Sequence, residues 1–195
     1  METVPNSAES YDFIHPDHKI NSDWPVLNLI SKNTAEQFTE QLQKRFQFRV
    51  SATSSAAILA KYKDAFSEID DTKLVFEVSM PPLPGNAWLC VDRSLIFALA
   101  EKYFGGKGEP PAEAKNPVLS NTEKRLCQNF ISCLEASIPY GWETILKIES
   151  TEISRISLEK INHSVDDQVV VACKYALKID DSEFNLEMIF SHSML

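Results

Sequence analysis

The chain has 195 residues, 44% hydrophobic and 24% charged, with a formal net charge of −9. That composition suits a globular protein of one large domain, or one domain plus a tail. The acidic balance and the lack of any Lys/Arg-rich run exclude a nucleic-acid surface, because phosphate neutralisation needs clustered cations, and disfavour acidic membranes for the same reason.

No apolar run reaches the roughly 18 residues that a membrane-spanning helix needs. The polar, acidic start lacks the charged-then-apolar order of a signal peptide. Cys90, Cys127, Cys133 and Cys173 each lie in an apolar-periodic segment, and no C-x-x-C pair exists. They read as reduced thiols packed as small hydrophobes, in a cytoplasmic protein with no metal or cofactor.

In chain order, residues 1–21 are polar, carry Pro5 and Pro16, and read as a flexible tail that docks in part through Tyr11, Phe13 and Ile14. A helix begins near Asp23 with Pro25 in its first turn. Leu27, Ile30, Phe38, Leu42 and Phe46 form its apolar stripe, with Asn33-Thr34 as a point of bending. Phe48, Val50 and Ala52 alternate as a strand, and residues 56–66 suit a short helix. Leu74, Phe76, Val78 and Met80 mark a strand by their period of two. The chain turns at Pro81-Pro82-Leu83-Pro84-Gly85 and returns as a strand through Ala87, Leu89 and Val91. Asp92 stands where an N-cap belongs, before a helix carrying Ile96, Leu99, Ala100 and Tyr103. That helix ends in Gly105-Gly106-Lys107-Gly108.

Residues 109–117 are rich in proline and charge and read as a surface linker. Ser120-x-x-Glu123 is a capping-box pattern in front of Leu126, Phe130, Leu134 and Ile138, and Pro139-Tyr140-Gly141 is expected to stop that helix. Residues 144–150, 153–161, 169–178 and 184–190 read as strands. Both faces are apolar in Val169-Val170-Val171, which fits a central strand covered on both sides.

The two halves follow the same order of elements. An offset of 99 residues lays Cys90 to Ile96 on Ile189 to Leu195, with only Ser94 and Ser193 identical. Two such halves most economically share one sheet in a single mixed α/β domain. By that pattern the chain stops where its last helix should begin, as in a truncated or naturally shorter relative.

Three of the five glycines fall within residues 105–108. One glycine serves a helix C-cap; three ask for further backbone freedom or close approach by another chain. A P-loop needs glycines before a helix N-terminus and Ser or Thr after the lysine. These glycines follow a helix C-terminus, where the dipole has the wrong sign for phosphate, and Gly108 follows Lys107. Two readings stay open at this level, a flexible loop and a partner-contact loop. His15-Pro16-Asp17-His18 has no further metal ligand nearby, and no G-x-S-x-G elbow is present.

The stretch Leu95 to Gly108, read as LIFALAEKYFGGKG, resembles the middle domain of the flagellar motor switch family, FliM. Thr122-Glu123-Lys124-Arg125-Leu126 resembles its "T-x-x-E-Q-R" helix start, and Asp167-Gln168-Val169-Val170-Val171 its late central strand. Phe190-Ser191-His192-Ser193-Met194-Leu195 resembles its "P-[YF]-S-M-[LI]" ending. The resemblance spans residues 24–195, and residues 22–195 are assigned to the domain. It implies a three-layer α/β/α fold of the CheC/CheX kind with internal pseudo-twofold symmetry. It implies a non-enzymatic component of the cytoplasmic C-ring at the flagellar basal body, which binds the FliG middle domain and neighbouring FliM copies and transmits chemotactic switching of rotation. Gly105, Gly106, Lys107 and Gly108 are then the FliG-contacting residues.

Three departures accompany the resemblance. The family's phospho-CheY-binding helix, "S-Q-x-E-I-D-x-L-L", has no match in residues 1–21, which argues against CheY docking through that peptide. The C-terminal FliN-like domain, through which FliN would be bound, is not in this sequence. Residues 66–74 lack the family's "L-P-x-P-T" stretch, and together these departures suggest a divergent copy. The alternative, a CheC-type phosphatase or adaptor acting on phosphorylated CheY, needs an acid and an Asn three residues later on a helix. Glu36-Gln37-Phe38-Thr39, Glu40-Gln41-Leu42-Gln43 and Leu126-Cys127-Gln128-Asn129 all lack that pair.

Overall fold

The computed structural model describes residues 24–67, 69–109, 118–161 and 168–195. Its elements are α1 (Pro25–Phe46), β1 (Val50–Ser54), β2 (Ile58–Lys61), α2 (Tyr62–Phe66), β3 (Lys73–Ser79), β4 (Ala87–Asp92) and α3 (Arg93–Tyr103). They continue with α4 (Asn121–Trp142), β5 (Glu152–Arg155), α5 (Leu158–Ile161), β6 (Val169–Ile179), β7 (Ser182–Ser191) and a 3-10 turn, His192–Met194. The strands form one sheet in the order β1-β6-β7-β4-β3-β5, with β2 also on β6. Every pairing is antiparallel. At its centre Leu89 of β4 faces Met188 of β7, two positions 99 residues apart.

The period of two along the strands sorts side chains into two cores. Leu74, Phe76 and Val78 of β3, Leu89 and Val91 of β4, and Leu186, Met188 and Phe190 of β7 face the large core under α1, α3 and α4. Val75, Cys90, Val170, Ala172 and Ile189 point the other way, into a smaller cluster closed by Tyr62 and Phe66 of α2 and Ile161 of α5. Helices thus cover both faces of one sheet, as expected for an α/β/α domain. None of the described helices is long and apolar enough to cross a membrane.

Several expectations are corrected. Residues 56–66 are a strand followed by a single helical turn. Ile58–Lys61 pairs with residues 169–172, so a long-range ladder overrides local helix preference. Between Ser54↔Tyr175 and Ile58↔Ala172 three residues oppose two, which is a β-bulge. The Asn28 side chain accepts from the Ala57 N–H there at 2.7 Å.

Pro139-Tyr140-Gly141 does not end α4, which runs on to Trp142. Gly141 is a packing residue: a Cβ there would lie 2.0 Å from Thr34 Oγ1 and 2.8 Å from Ile30 O of α1. The two long helices cross at this point because one side chain is missing. Thr34 itself is buried, and α1 passes through it as a continuous helix.

Residues 144–150 form no strand. The Ile145 and Leu146 N–H groups donate back to Trp142 O, at 2.8 and 2.9 Å, and Ile148 is buried as a plug rather than a ladder residue. Residues 153–161 divide into the short edge strand β5 and the turn α5. Asp92 occupies the N-cap position of α3, but its side chain makes no capping bond; it lies 3.8 Å from Lys73 instead. The capping box of α4 is complete: Ser120 Oγ accepts from the Glu123 N–H, and Glu123 accepts from the Ser120 N–H. The tail residues, including His15-Pro16-Asp17-His18, and most of the 109–117 linker lie outside the described residues.

Candidate protein interface at the glycine loop

Helix α3 buries Leu95, Ile96, Ala98, Leu99 and Ala100 and carries its last turn out to the surface. The glycines then close it. The Gly105 N–H donates to Lys102 O at 3.0 Å and the Gly106 N–H to Glu101 O at 2.9 Å. This pair of bonds is a Schellman motif, which satisfies carbonyls that the helix end would leave bare. Gly105 takes φ +90 in that motif with nothing within 4 Å of a would-be Cβ, so conformation rather than space requires glycine.

Gly108 differs, being buried at φ +77 with a would-be Cβ 3.2 Å from Ile179 Cγ2. A Cβ on Gly106 would meet the Glu101 side chain at 2.7 Å. The Glu101 carboxylate in turn accepts from the Glu109 N–H at 2.5 Å across the mouth of the loop. Lys102 pairs with Asp180 in the β6–β7 turn. The glycine loop is therefore a defined structure braced from within, and each glycine has its own local reason. Lys107 is exposed at its tip.

Beside the loop stands a feature that sequence reasoning missed. Tyr103 was placed on the apolar stripe of its helix, yet it is 54% exposed, and the next residue, Phe104, is 70% exposed. Their rings meet edge-on at 5.6 Å, and Tyr103 meets the buried ring of Phe46 edge-on at 6.5 Å. Phe46 in turn meets the ring of Phe48 in a tilted arrangement, at 5.7 Å. This row of aromatics runs from the core out to the loop. Exposed aromatic side chains backed by a rigid support suit a binding anchor, because they offer large apolar area at low entropy cost. The signal available in the sequence was an aromatic at the helix C-cap, one residue off the stripe.

Among the described residues, several groups that catalysis could use are engaged or neutralised. Burial pushes the thiol of Cys90 up to about 12 and those of Cys127 and Cys173 to about 11, so no thiolate is at hand for nucleophilic attack. Gln43 donates to Val50 O at 2.8 Å. Asn129 accepts from Arg45 at 2.6 Å, tying α4 to α1. Glu40 pairs with Lys44. The amides that a phosphatase of the CheC kind would aim at a water are thus holding helices and strands in place.

The sequence model of the family described as "Flagellar motor switch protein FliM" matches residues 22–195. The chain belongs to that family. Among curated relatives, the FliM of Pseudomonas aeruginosa is 21% identical over 196 aligned positions, covering all of this chain and 60% of that protein. The FliM of Treponema pallidum is 24% identical over 138, covering 71% of this chain and 40% of that protein. The chain therefore spans less than two thirds of the length of these FliM relatives. Among solved structures, the FliM middle domain from Vibrio alginolyticus superposes with a TM-score of 0.73 at 18% identity, covering 87% of this chain and 95% of that one. A FliG–FliM complex from H. pylori gives 0.74 at 15% identity, covering 85% and 91%. These likenesses establish the fold of a FliM middle domain.

Proposed function

We propose that this chain is a rotor module of the flagellar switch, with residues 22–195 forming the middle domain. It binds the FliG middle domain through Gly105, Gly106, Lys107 and Gly108, with Tyr103 and Phe104 as apolar anchors. It packs beside other FliM copies in a ring on the cytoplasmic side of the basal body. Its action is mechanical: a rigid α/β block transmits rearrangement at its contacts to FliG and so changes the direction of rotation. It carries no catalytic step of its own.

The observation that carries this reading is the junction of a braced glycine loop with two exposed aromatic rings. A loop held by Schellman bonds and by Glu101 loses little entropy on docking. A FliG–FliM complex from H. pylori with the same fold supports FliG as the partner class. Binding of the chain to the cognate FliG middle domain, repeated with Gly106→Asp, tests the assignment. Asp at this position adds bulk and a second negative charge beside Glu101, so binding should fall at least tenfold while the domain stays folded. Undiminished binding would remove the loop from the interface.

A further inference from the structure

On the far side of the fold from the sheet's smaller cluster, an apolar groove of about 450 Å³ opens where α1 begins and α4 ends. Trp24, Leu83, Trp142, Ile145, Leu146 and Leu195 are among its walls, and every lining residue is apolar. Val26 and Ile145 on its rim are 51% and 52% exposed. Isolated exposed apolar residues need no explanation, but a concave run of them marks a binding surface.

We propose that this groove is the docking site of the chain's own N-terminal segment, through Tyr11, Phe13 and Ile14. Three observations choose this occupant. Trp24, at the N-cap of α1, is itself a wall of the groove. In the preceding segment Tyr11, Phe13 and Ile14 form the densest group of large apolar side chains, with Met1, Val4 and Ile20 standing singly among polar and charged residues, and that group matches the apolar side chains lining the groove. Residues 15–23 join that cluster to Trp24, and such a connection reaches up to about 30 Å when extended. The cluster can therefore lie anywhere along the groove.

The covalent link also favours the segment over a second copy of the chain. A short connection holds its target at an effective concentration on the order of millimolar, above what free chains reach at ordinary protein concentrations. The inference stands apart from the FliG interface, since it uses neither the glycine loop nor its aromatics.

Fluorine NMR of the full chain carrying fluorotryptophan tests this, with a spin label on Asp12→Cys. All four native cysteines are buried, so the label goes to the introduced thiol. Docking predicts that the Trp142 resonance loses most of its intensity, while that of Trp88, in the opposite cluster, keeps it. Adding Tyr11→Ser, Phe13→Ser and Ile14→Ser should restore the Trp142 signal, and Ile145→Asp on the exposed rim should do so independently. A Trp142 signal untouched by the label, or equally reduced in the triple-serine chain, overturns the proposal. Loss that persists when the label and the fluorotryptophan are on different molecules overturns it in favour of a second copy.

Discussion

Lys102 Nζ pairs with Asp180 Oδ2, joining the last turn of α3 to the β6–β7 turn. Gly108 lies against Ile179, the last residue of β6, so both ends of the glycine loop are fastened to one hairpin. The pair is partly exposed, and such pairs contribute roughly 0.2–1 kcal/mol. Asp180→Ala should therefore lower unfolding free energy by no more than about 1 kcal/mol, by an amount that shrinks at high salt. Urea melts at two ionic strengths check this. A larger, salt-independent loss would show that Asp180, at φ +49, matters through its backbone instead.

The three loop glycines should not respond alike to alanine. At Gly105 and Gly108 an L side chain must take up a left-handed conformation, at about 1–2 kcal/mol each. Gly108→Ala adds contact with Ile179 and should be the most costly. Gly106 is not held at positive φ; there Glu101 must swing aside and give up its bond to Glu109. Its stability cost should be the smallest of the three, which makes it the cleanest probe of binding. Urea midpoints ranking Gly106→Ala worst would contradict the loop geometry.

Gly141→Ala should loosen the α1–α4 crossing. The new methyl meets Thr34 and the Ile30 carbonyl, and overpacking of this kind costs about 1–3 kcal/mol. Adding Thr34→Ala removes the nearer contact but not the carbonyl, so it should recover part of the loss. Thermal melts of the single and double variants decide the point, and a neutral Gly141→Ala would mean that the helices separate without cost.

Burial raises the carboxyl of Asp92 above its ordinary value, against a smaller lowering by Lys73. The folded state then holds the proton more tightly than the unfolded chain does. Stability falls as pH rises from the ordinary value of 3.8 through the raised one, and the full cost is present above it. Asp92→Asn should accordingly be more stable than the parent at neutral pH, with the difference vanishing below about pH 3. Urea melts across that range measure it. A variant less stable at neutral pH would mean that the Lys73 contact outweighs desolvation.

The sequence was legible wherever local chemistry decides structure. The Ser120–Glu123 capping box, the alternation along Leu74 to Met80, and Pro25 in the first turn of α1 all name their elements without tertiary help. Residues 58–61 could not be read as a strand, because their strand character comes from β6, more than a hundred residues away. Gly141 looked like a stop because a glycine needed for close packing carries the same letter as one needed for a cap. At the proposed interface, the glycine cluster stood out, but the exposed aromatic pair did not. The exposure of Tyr103 and Phe104 depends on how α3 leans on Phe46, which no spacing rule contains.

The most direct measurement of the central claim is the affinity of this chain for the cognate FliG middle domain, compared with that of Phe104→Ala. Phe104 is mostly in solvent, so its removal should leave the unfolding midpoint unchanged. An aromatic anchor costs about 2 kcal/mol or more when truncated, so the account predicts a Kd weakened at least tenfold. An unchanged Kd in a fully folded variant would contradict the interface placed at this end of α3.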